Sequence, residues 1–340
     1  MKEIVYWLAK YTGIFSLSRR MTRGQIRILA YHGIWLGQGH FGNYLFMSPA
    51  RFSHRLDLLA RWGYPVLPLN EALSLRERAS LPDAAVVITI DDGWYSSYVH
   101  MLPALERHGF AATMYVTTYY CEKQTPVFDV LLQYLLSVSP LKQVDFSEIE
   151  IDGLSDINLE EDQYRVRTQE LISTHANGLD NEQRSVLGIK LAELLRVDYT
   201  KLDEGRVFHL MNTEELTDMS RRGLSLELHT HRHRTHVDDR CCLSRELSDN
   251  RALLEPITGE SLTHFCYPSG VYQEDIWPEL DREGITSATT TAVGLVDKNS
   301  HCYALPRILD GERVSDLEFE AELSGFGDMM RRLKAVFSGA

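Results

Sequence analysis

The chain has 340 residues, 44% of them hydrophobic and 24% charged, with a formal net charge of -13. This is the balance of a soluble globular protein with a core large enough to need no disulfide staples, and its acidity argues against nucleic acid as a partner. Five cysteines, widely spread and without a Cys-x-x-Cys pair, form no disulfide framework and fit a reducing compartment.

Residues 1–31 carry Lys2, Lys10, Arg19, Arg20, Arg23 and Arg27 against Glu3 alone, and Ile4, Leu8, Tyr11 and Phe15 recur at helical spacing. One reading is a basic amphipathic helix resting on a membrane surface. The simpler expectation is a helix packed on the domain's own surface. The apolar run is broken by Lys10 and is too short to span a bilayer, and it lacks the core and cleavage site of a signal peptide. A cytoplasmic protein is therefore expected, at the inner face of the membrane if residues 1–26 make a peripheral contact with it.

Arg27 to Tyr31 reads as a first strand ending at His32-Gly33. Pro49 to Trp62 has a helical rhythm, with Phe52, Leu56 and Leu59 on one face and Ser48 as N-cap. Tyr64–Leu67 reads as a short strand and Leu69–Glu77 as a helix. Val86 to Ile90 is a buried strand, because β-branched residues suit a pleated, covered surface. Tyr98–Arg107 is helical and Ala111–Thr117 a strand, which gives parallel βα units. From 127 to 210 the chain is mainly helical and reads as an insertion that caps or flanks the domain. The rhythm then returns: helix Asn212–Arg222, strand Leu224–Leu228, helix Leu243–Thr258, strand Thr263–Tyr267, helix Asp275–Glu283, and strands Ile285–Thr290 and Tyr303–Leu309. Alternation over this length predicts an α/β protein built as a closed or nearly closed (β/α) barrel, with chemistry at the C-terminal strand ends.

Two clusters carry that chemistry. Asp91-Asp92-Gly93 closes the strand Val86–Ile90. Two carboxylates at a strand mouth are costly to desolvate unless a metal or a proton relay holds them, although Asp-Asp-Gly is also good turn chemistry. His229-Thr230-His231-Arg232-His233-Arg234-Thr235-His236 follows the strand Leu224–Leu228. His229 and His233 are four apart, so one short turn can point both at one ion. A solvated basic loop would give the same pattern. Taken together, Asp-Asp and His-x-x-x-His on two strand ends match an open Asp/His/His site with a position left for water. One carboxylate can bind the metal while the other stays free as a base.

These motifs resemble the polysaccharide deacetylase superfamily, the NodB-homology carbohydrate esterases. Thr89-Ile90-Asp91-Asp92-Gly93 matches its Thr-Phe-Asp-Asp-Gly motif, and His229-Thr230-His231-Arg232-His233 its His-(Ser/Thr)-x-x-His motif. Leu29-Ala30-Tyr31-His32-Gly33, Pro49–Leu73 and Leu305-Pro306-Arg307 resemble the exopolysaccharide-cluster, poly-N-acetylglucosamine deacetylase-like branch. In the family's Arg-x-Pro-x-Gly motif, Cys266 stands where arginine is expected.

The resemblance implies a distorted (β/α) barrel over 27–326, preceded by the basic segment 1–26, carrying the helical insertion 127–210 and followed by a tail, 327–340. It implies Asp91 as general base, with Asp92, His229 and His233 as ligands of a divalent metal, zinc by default or cobalt, nickel or iron. It implies His32 as general acid, with His301 the alternative. Arg307 is a candidate substitute for the arginine missing at Cys266, the other reading being a surface salt bridge. Trp94 and Tyr95 could stack on a sugar or pack against the rim, a backbone N–H near Tyr267 could stabilise the oxyanion, and His231 is expected to face away. The implied activity is hydrolytic N-deacetylation of an acetamido sugar in a polysaccharide, an oligosaccharide or its precursor. The alternatives are another small C–N bond at the same site, or a metal-free carbohydrate-binding protein.

Overall fold

In the computed structural model, residues 2–37, 40–235 and 239–338 are described. Seven strands form a closed parallel barrel: β1 (Arg27–Tyr31), β2 (Val86–Ile90), β3 (Thr113–Val116), β4 (Ser225–Leu228), β5 (His264–Cys266), β6 (Ser287–Val293) and β7 (Leu305–Leu309). Each strand pairs with the next in the chain, and β7 returns to β1 through Leu29 and Ile308. The barrel is uneven: β4 meets β5 at Leu228 and Phe265, and the register between β6 and β7 shifts between Thr289 and Val293.

All five residues of β2 are buried, as both faces of a parallel strand are covered. Alternating side chains divide into two cores. Leu29, Ile88, Met114, Leu228 and Phe265 pack outward with the helices, while Ile28, Val87, Tyr115, Cys266 and Leu305 form a second, inner cluster.

The helices are α1 (Lys2–Tyr11), α2 (Ile14–Met21), α3 (Pro49–Arg61), α4 (Leu69–Glu77), α5 (Leu102–His108), α6 (Tyr119–Lys123), α7 (Phe128–Val138), α8 (Asp162–Ala176), α9 (Asn181–Leu194), α10 (Tyr199–Glu204), α11 (Thr213–Arg221), α12 (Arg240–Thr258), α13 (Trp277–Arg282), α14 (Asp316–Leu323) and α15 (Phe326–Ser338). Ser48 caps α3 as expected, accepting from Arg51 N with Pro49 at the first helical position. Tyr64–Leu67 makes only a single bridge, Val66 to Val86, because Pro65 and Pro68 have no N–H to extend a ladder. The insertion α7–α10 also holds an antiparallel pair, Gln143–Asp145 with Asp156–Asn158, that its charged sequence does not announce.

The N-terminal segment forms two helices broken at Gly13 (φ 81°). They pack through Tyr6, Ala9 and Phe15 onto Ala321 and Phe326. The helical stripe expected to face inward therefore lies mostly outward: Ile4, Leu8 and Tyr11 are exposed and only Phe15 is buried. Residues 327–338 continue α15. No helix among the described residues is long and apolar enough to cross a membrane.

Three arginines, Arg27, Arg55 and Arg307, are fully buried. Arg27 donates to Leu323 O, Thr22 O and Gln25 O, tying α14 and the N-terminal segment to the start of β1. Arg55 on α3 donates to Asp310 just past β7, and that carboxylate also accepts from the Tyr31 hydroxyl.

Inside the barrel, burial raises the Glu227 carboxyl to about 8, against the bond it accepts from His264 N. The unfolded value lies near about 4.3, so above it the native state holds a proton that the unfolded chain has released. The sign follows: stability falls as pH rises from about 5 to about 8. Glu227→Gln cannot ionise. Its stability advantage over the parent in urea denaturation should grow across that window and level off above it; a constant difference would mean that Glu227 is not held neutral.

Candidate metal centre and active site

The C-terminal ends of β1, β2 and β4 bring His32, Asp91, Asp92, His229 and His233 to one mouth of the barrel, and Arg307 reaches the same place from within β7. Asp91 N donates to Tyr31 O at 2.9 Å, extending the β1–β2 ladder by one residue. The chain then turns sharply, with Asp92 and Gly93 both left-handed (φ 72° and 91°). Position 93 requires glycine, since a Cβ there would also press on Val116 Cγ1 at 3.2 Å. Thr230 and His233 are left-handed too (φ 62° and 56°). Such backbone is uncommon outside glycine and gathers at functional sites. Here it curls the loop so that the His229 and His233 rings lie 5.0 Å apart.

Asp92 Oδ1 lies 3.3 Å from His229 Nε2 and 3.4 Å from His233 Nε2. The three donors are close enough to share one ion. Four ligands held tetrahedrally at about 2.0–2.1 Å from zinc are separated by about 3.3–3.4 Å along each edge, so the spacing fits. The tautomer fits as well. His229 Nδ1 is 2.7 Å from Cys266 O, which can only accept, so Nδ1 carries the proton. In the neutral ring Nε2 aims a lone pair at a carboxylate oxygen, and that contact needs a positive charge: a bound cation or, without one, a proton on the ring, whose pKa, against burial, Cys266 and Asp92 raise.

Asp92 Oδ2 accepts from Trp94 Nε1 at 2.8 Å, which leaves Oδ1 to face the histidines. Asn250 on α12 fastens the other side. It accepts from His229 N at 3.0 Å and donates to Val116 O and Thr118 Oγ1. Burial works against the Asp92 charge, but its bonds to His229 and His233 hold it well below the usual carboxylate range.

Asp91 is held differently. Arg307 Nη1 and Nη2 donate to its two oxygens at 2.8 and 2.7 Å, and Arg307 is fixed in turn by Thr290 O and Thr89 Oγ1. Burial penalises the Asp91 charge, yet the guanidinium lowers its pKa overall. Asp91, His229 and Cys266 also lie close enough to share an ion. The guanidinium on both Asp91 oxygens disfavours a cation there, so the Asp92 set is the candidate centre. Cys266 is a buried residue whose thiol approaches Asp91 Oδ2 at 3.6 Å. It supplies no guanidinium; the fork on Asp91 comes from two strands away.

His32 Nε2 lies 3.7 Å from Asp91 Oδ2. Burial lowers its pKa, partly offset by Asp91 and Asp92. His301 is not brought to this cluster: it stacks on Trp277 at 3.9 Å and accepts from Tyr303 N. His231 is buried against Thr118 Oγ1, and His236 lies outside the described residues.

Two expected substrate contacts are corrected. Trp94 is buried and committed to Asp92 and the Phe46 ring, so it offers no face to a sugar. Tyr267 is buried as well. Its hydroxyl donates to Tyr303 O and its N–H to Thr289 O, so neither is free for an oxyanion. Tyr95 instead stacks under Arg206 at 4.0 Å. Neither Trp94 as an orienting group nor Asn250 follows from a local pattern. The one available hint was an indole two residues beyond a carboxylate in a tight turn.

A cavity of about 430 Å³ opens beside Asp92 and His233. The insertion supplies much of its wall, through Phe128, Asp129, Asn177 and Arg184, and Tyr119 and Tyr120 add aromatic surface. The segment expected to cap or flank the barrel thus borders the site directly.

Residues 78–157 and 196–288, just over half of the chain, match the family described as polysaccharide deacetylase. The putative polysaccharide deacetylase YxkH of Bacillus subtilis (strain 168) is 26% identical over 115 residues, 33% of this chain and 41% of that protein. The chain thus matches less than half the length of that relative. The fold is shared with the Streptococcus pyogenes deacetylase PplD, solved in complex with acetate, at a TM-score of 0.59 and 17% identity, covering 89% of this chain and 99% of that one. It is shared also with IcaB from Ammonifex degensii, at a TM-score of 0.54 and 17% identity, covering 88% and 97%. With the family match running from β2 through β5 to the start of β6, the chain belongs to the polysaccharide deacetylase family.

Proposed function

We propose that the protein is a metal-dependent hydrolase that removes N-acetyl groups from acetamido sugars of a polysaccharide, an oligosaccharide or its precursor. The observation that carries this reading is the division of labour between neighbouring carboxylates. Asp92 faces two imidazole nitrogens, whereas Asp91 is gripped by Arg307 and kept ionised beside them. One carboxylate and two imidazoles suit zinc, and cobalt, nickel or iron share that preference. A bound cation supplies a polarised water and a Lewis acid for the acyl oxygen.

In this reading Asp91 accepts the proton of the attacking water. Arg307 fixes both of its oxygens in one plane while their remaining lone pairs stay available. His32, as imidazolium, gives its proton to the departing nitrogen. Its lowered pKa makes that imidazolium the stronger acid. Water adds across the C–N bond, and the products are acetate and the free amine. The intact grip on Asp91 favours an active enzyme over a binding-only homologue, since the guanidinium absent at Cys266 is supplied by Arg307.

Asp92→Ala, His229→Ala and His233→Ala should each lose stoichiometric metal, measured by elemental analysis, together with acetate release from N-acetylated chitooligosaccharides. Asp91→Asn should keep its metal and lose about 10²–10⁴ in turnover; acetate release at the parent rate would remove Asp91 from the role of base.

Arg307→Lys keeps the charge but replaces a two-pronged grip with a point donor. Turnover should fall about 10- to 100-fold with metal content unchanged. Unaltered kinetics would show that the fork does not serve the reaction.

A further inference from the structure

Two guanidinium groups meet on the cavity wall that the insertion supplies. Arg184 of α9 donates Nε to Ala176 O at 2.9 Å, and Arg234, next to His233, donates Nη2 to Asn177 Oδ1 at 2.9 Å. Ala176 and Asn177 are consecutive, so both side chains are drawn to one end of α8, and both line the cavity that holds Asp92 and His233. Neither has a carboxylate within ion-pairing distance among the described residues, whereas the adjacent Arg232 pairs with Glu246 and Asp249. The other carboxylate on this wall, Asp129, accepts from Ser173 Oγ. A helix C-terminus attracts cations and explains the bond from Arg184 to Ala176 O, while Arg234 takes the Asn177 side-chain amide. With the Tyr120 hydroxyl also beside Arg184, donors on each fork still remain without a partner among the described residues.

We propose that this wall is an anion subsite. The saccharide deacetylated here carries a negative group, a sugar carboxylate or a phosphate ester, close to the acetamido residue, and Arg184 and Arg234 hold it. The inference rests on the deacetylase reading and narrows its substrate class. Planar forks match both oxyanions. Two cations without a carboxylate partner among the described residues, in a protein of net charge -13, also give an approaching anion one favourable entry.

The test uses the metal-loaded full chain and three acetamido oligosaccharides that differ in one substituent: neutral, uronic acid, or phosphate ester. The parent should favour at least one anionic substrate over the neutral one by about tenfold or more in kcat/KM, residing in KM. In the Arg184→Gln, Arg234→Gln double variant that ratio should fall to about one, and Arg184→Lys should recover part of it. Which anionic substrate gains identifies carboxylate or phosphate as the ligand. A ratio equal in parent and double variant would overturn the subsite. If the parent deacetylates none of the three, the reaction assigned above fails on its own. Calorimetric binding of the same compounds then decides the subsite: tighter anion binding that the double variant loses supports it, and equal binding removes it.

The N-terminal helices carry an independent surface. Ile4, Trp7, Leu8 and Tyr11 form one outward stripe on α1, and Ile14, Leu17 and Met21 continue it on α2; all seven are 41–68% exposed. Arg20 and Arg23 are exposed and have no carboxylate partner among the described residues, and Glu3 is the one acid in residues 1–26. We infer that this face rests on an anionic bilayer surface. Trp7 and Tyr11, with ring centroids 4.5 Å apart, suit the lipid headgroup zone, while a second copy on this face would bring like cations together. The full chain should co-sediment with vesicles containing phosphatidylglycerol, less so at high salt and not with phosphatidylcholine alone, and Leu8→Glu with Leu17→Glu should abolish binding. No sedimentation with anionic vesicles at about 0.1 M salt, or a concentration-dependent dimer lost in that same variant, would overturn it.

Discussion

The buried pair between Arg307 and Asp91 is the interaction on which the site depends. Arg307 lies on the last strand and Asp91 at the end of the second, 216 positions apart, and the guanidinium crosses the barrel interior to reach it. Both strands flank β1 in the sheet, so the contact requires β7 to have paired with β1, the pairing that closes the ring. A charge taken from water at that depth needs its partner, so barrel closure and the assembly of the carboxylate are one event. The same event carries the neighbouring turn, because Asp92 follows Asp91 directly and its Oδ2 is steered by Trp94. Non-local contacts of this kind form late and are entropically costly.

The chemistry of the mouth was legible in the chain because its residues occur as short local words. Asp91-Asp92-Gly93 and His229 to His233 each sit at the end of an apolar strand, and strand alternation alone directs chemistry to that end of a barrel. The Arg307 contact was legible only as an open choice. Nothing near position 307 shows that its side chain runs inward, or that a guanidinium expected at Cys266 would be supplied from there. Trp94 and Tyr267 were misread for different reasons. An aromatic residue beside a site looks like a sugar platform, but burial and the need to satisfy its N–H turned the Trp94 indole inward, whereas the backbone N–H at Tyr267, read as an oxyanion donor, is spent on Thr289 O in the barrel ladder. The face of α1 was misread through periodicity: the apolar stripe is real, but the narrower seam of Tyr6 and Ala9 is what packs.

The insertion changes how the barrel is used. A bare barrel mouth is open to solvent on every side. Here α7, α8 and α9 raise one wall over it, and Arg184 of α9 meets Arg234 of the His233 loop there, neither with a carboxylate partner among the described residues. The strand ends hold the groups that handle protons and metal, and the proposed subsite joins the insertion, through Arg184, to the loop that carries His233, through Arg234.

His229 is oriented by the backbone carbonyl of Cys266, not by any side chain. A peptide oxygen stays in place whatever residue occupies its position, provided the strand is kept. Position 266 is therefore chemically free with respect to the ligand it supports, and exchanging arginine for cysteine there leaves the imidazole tautomer untouched.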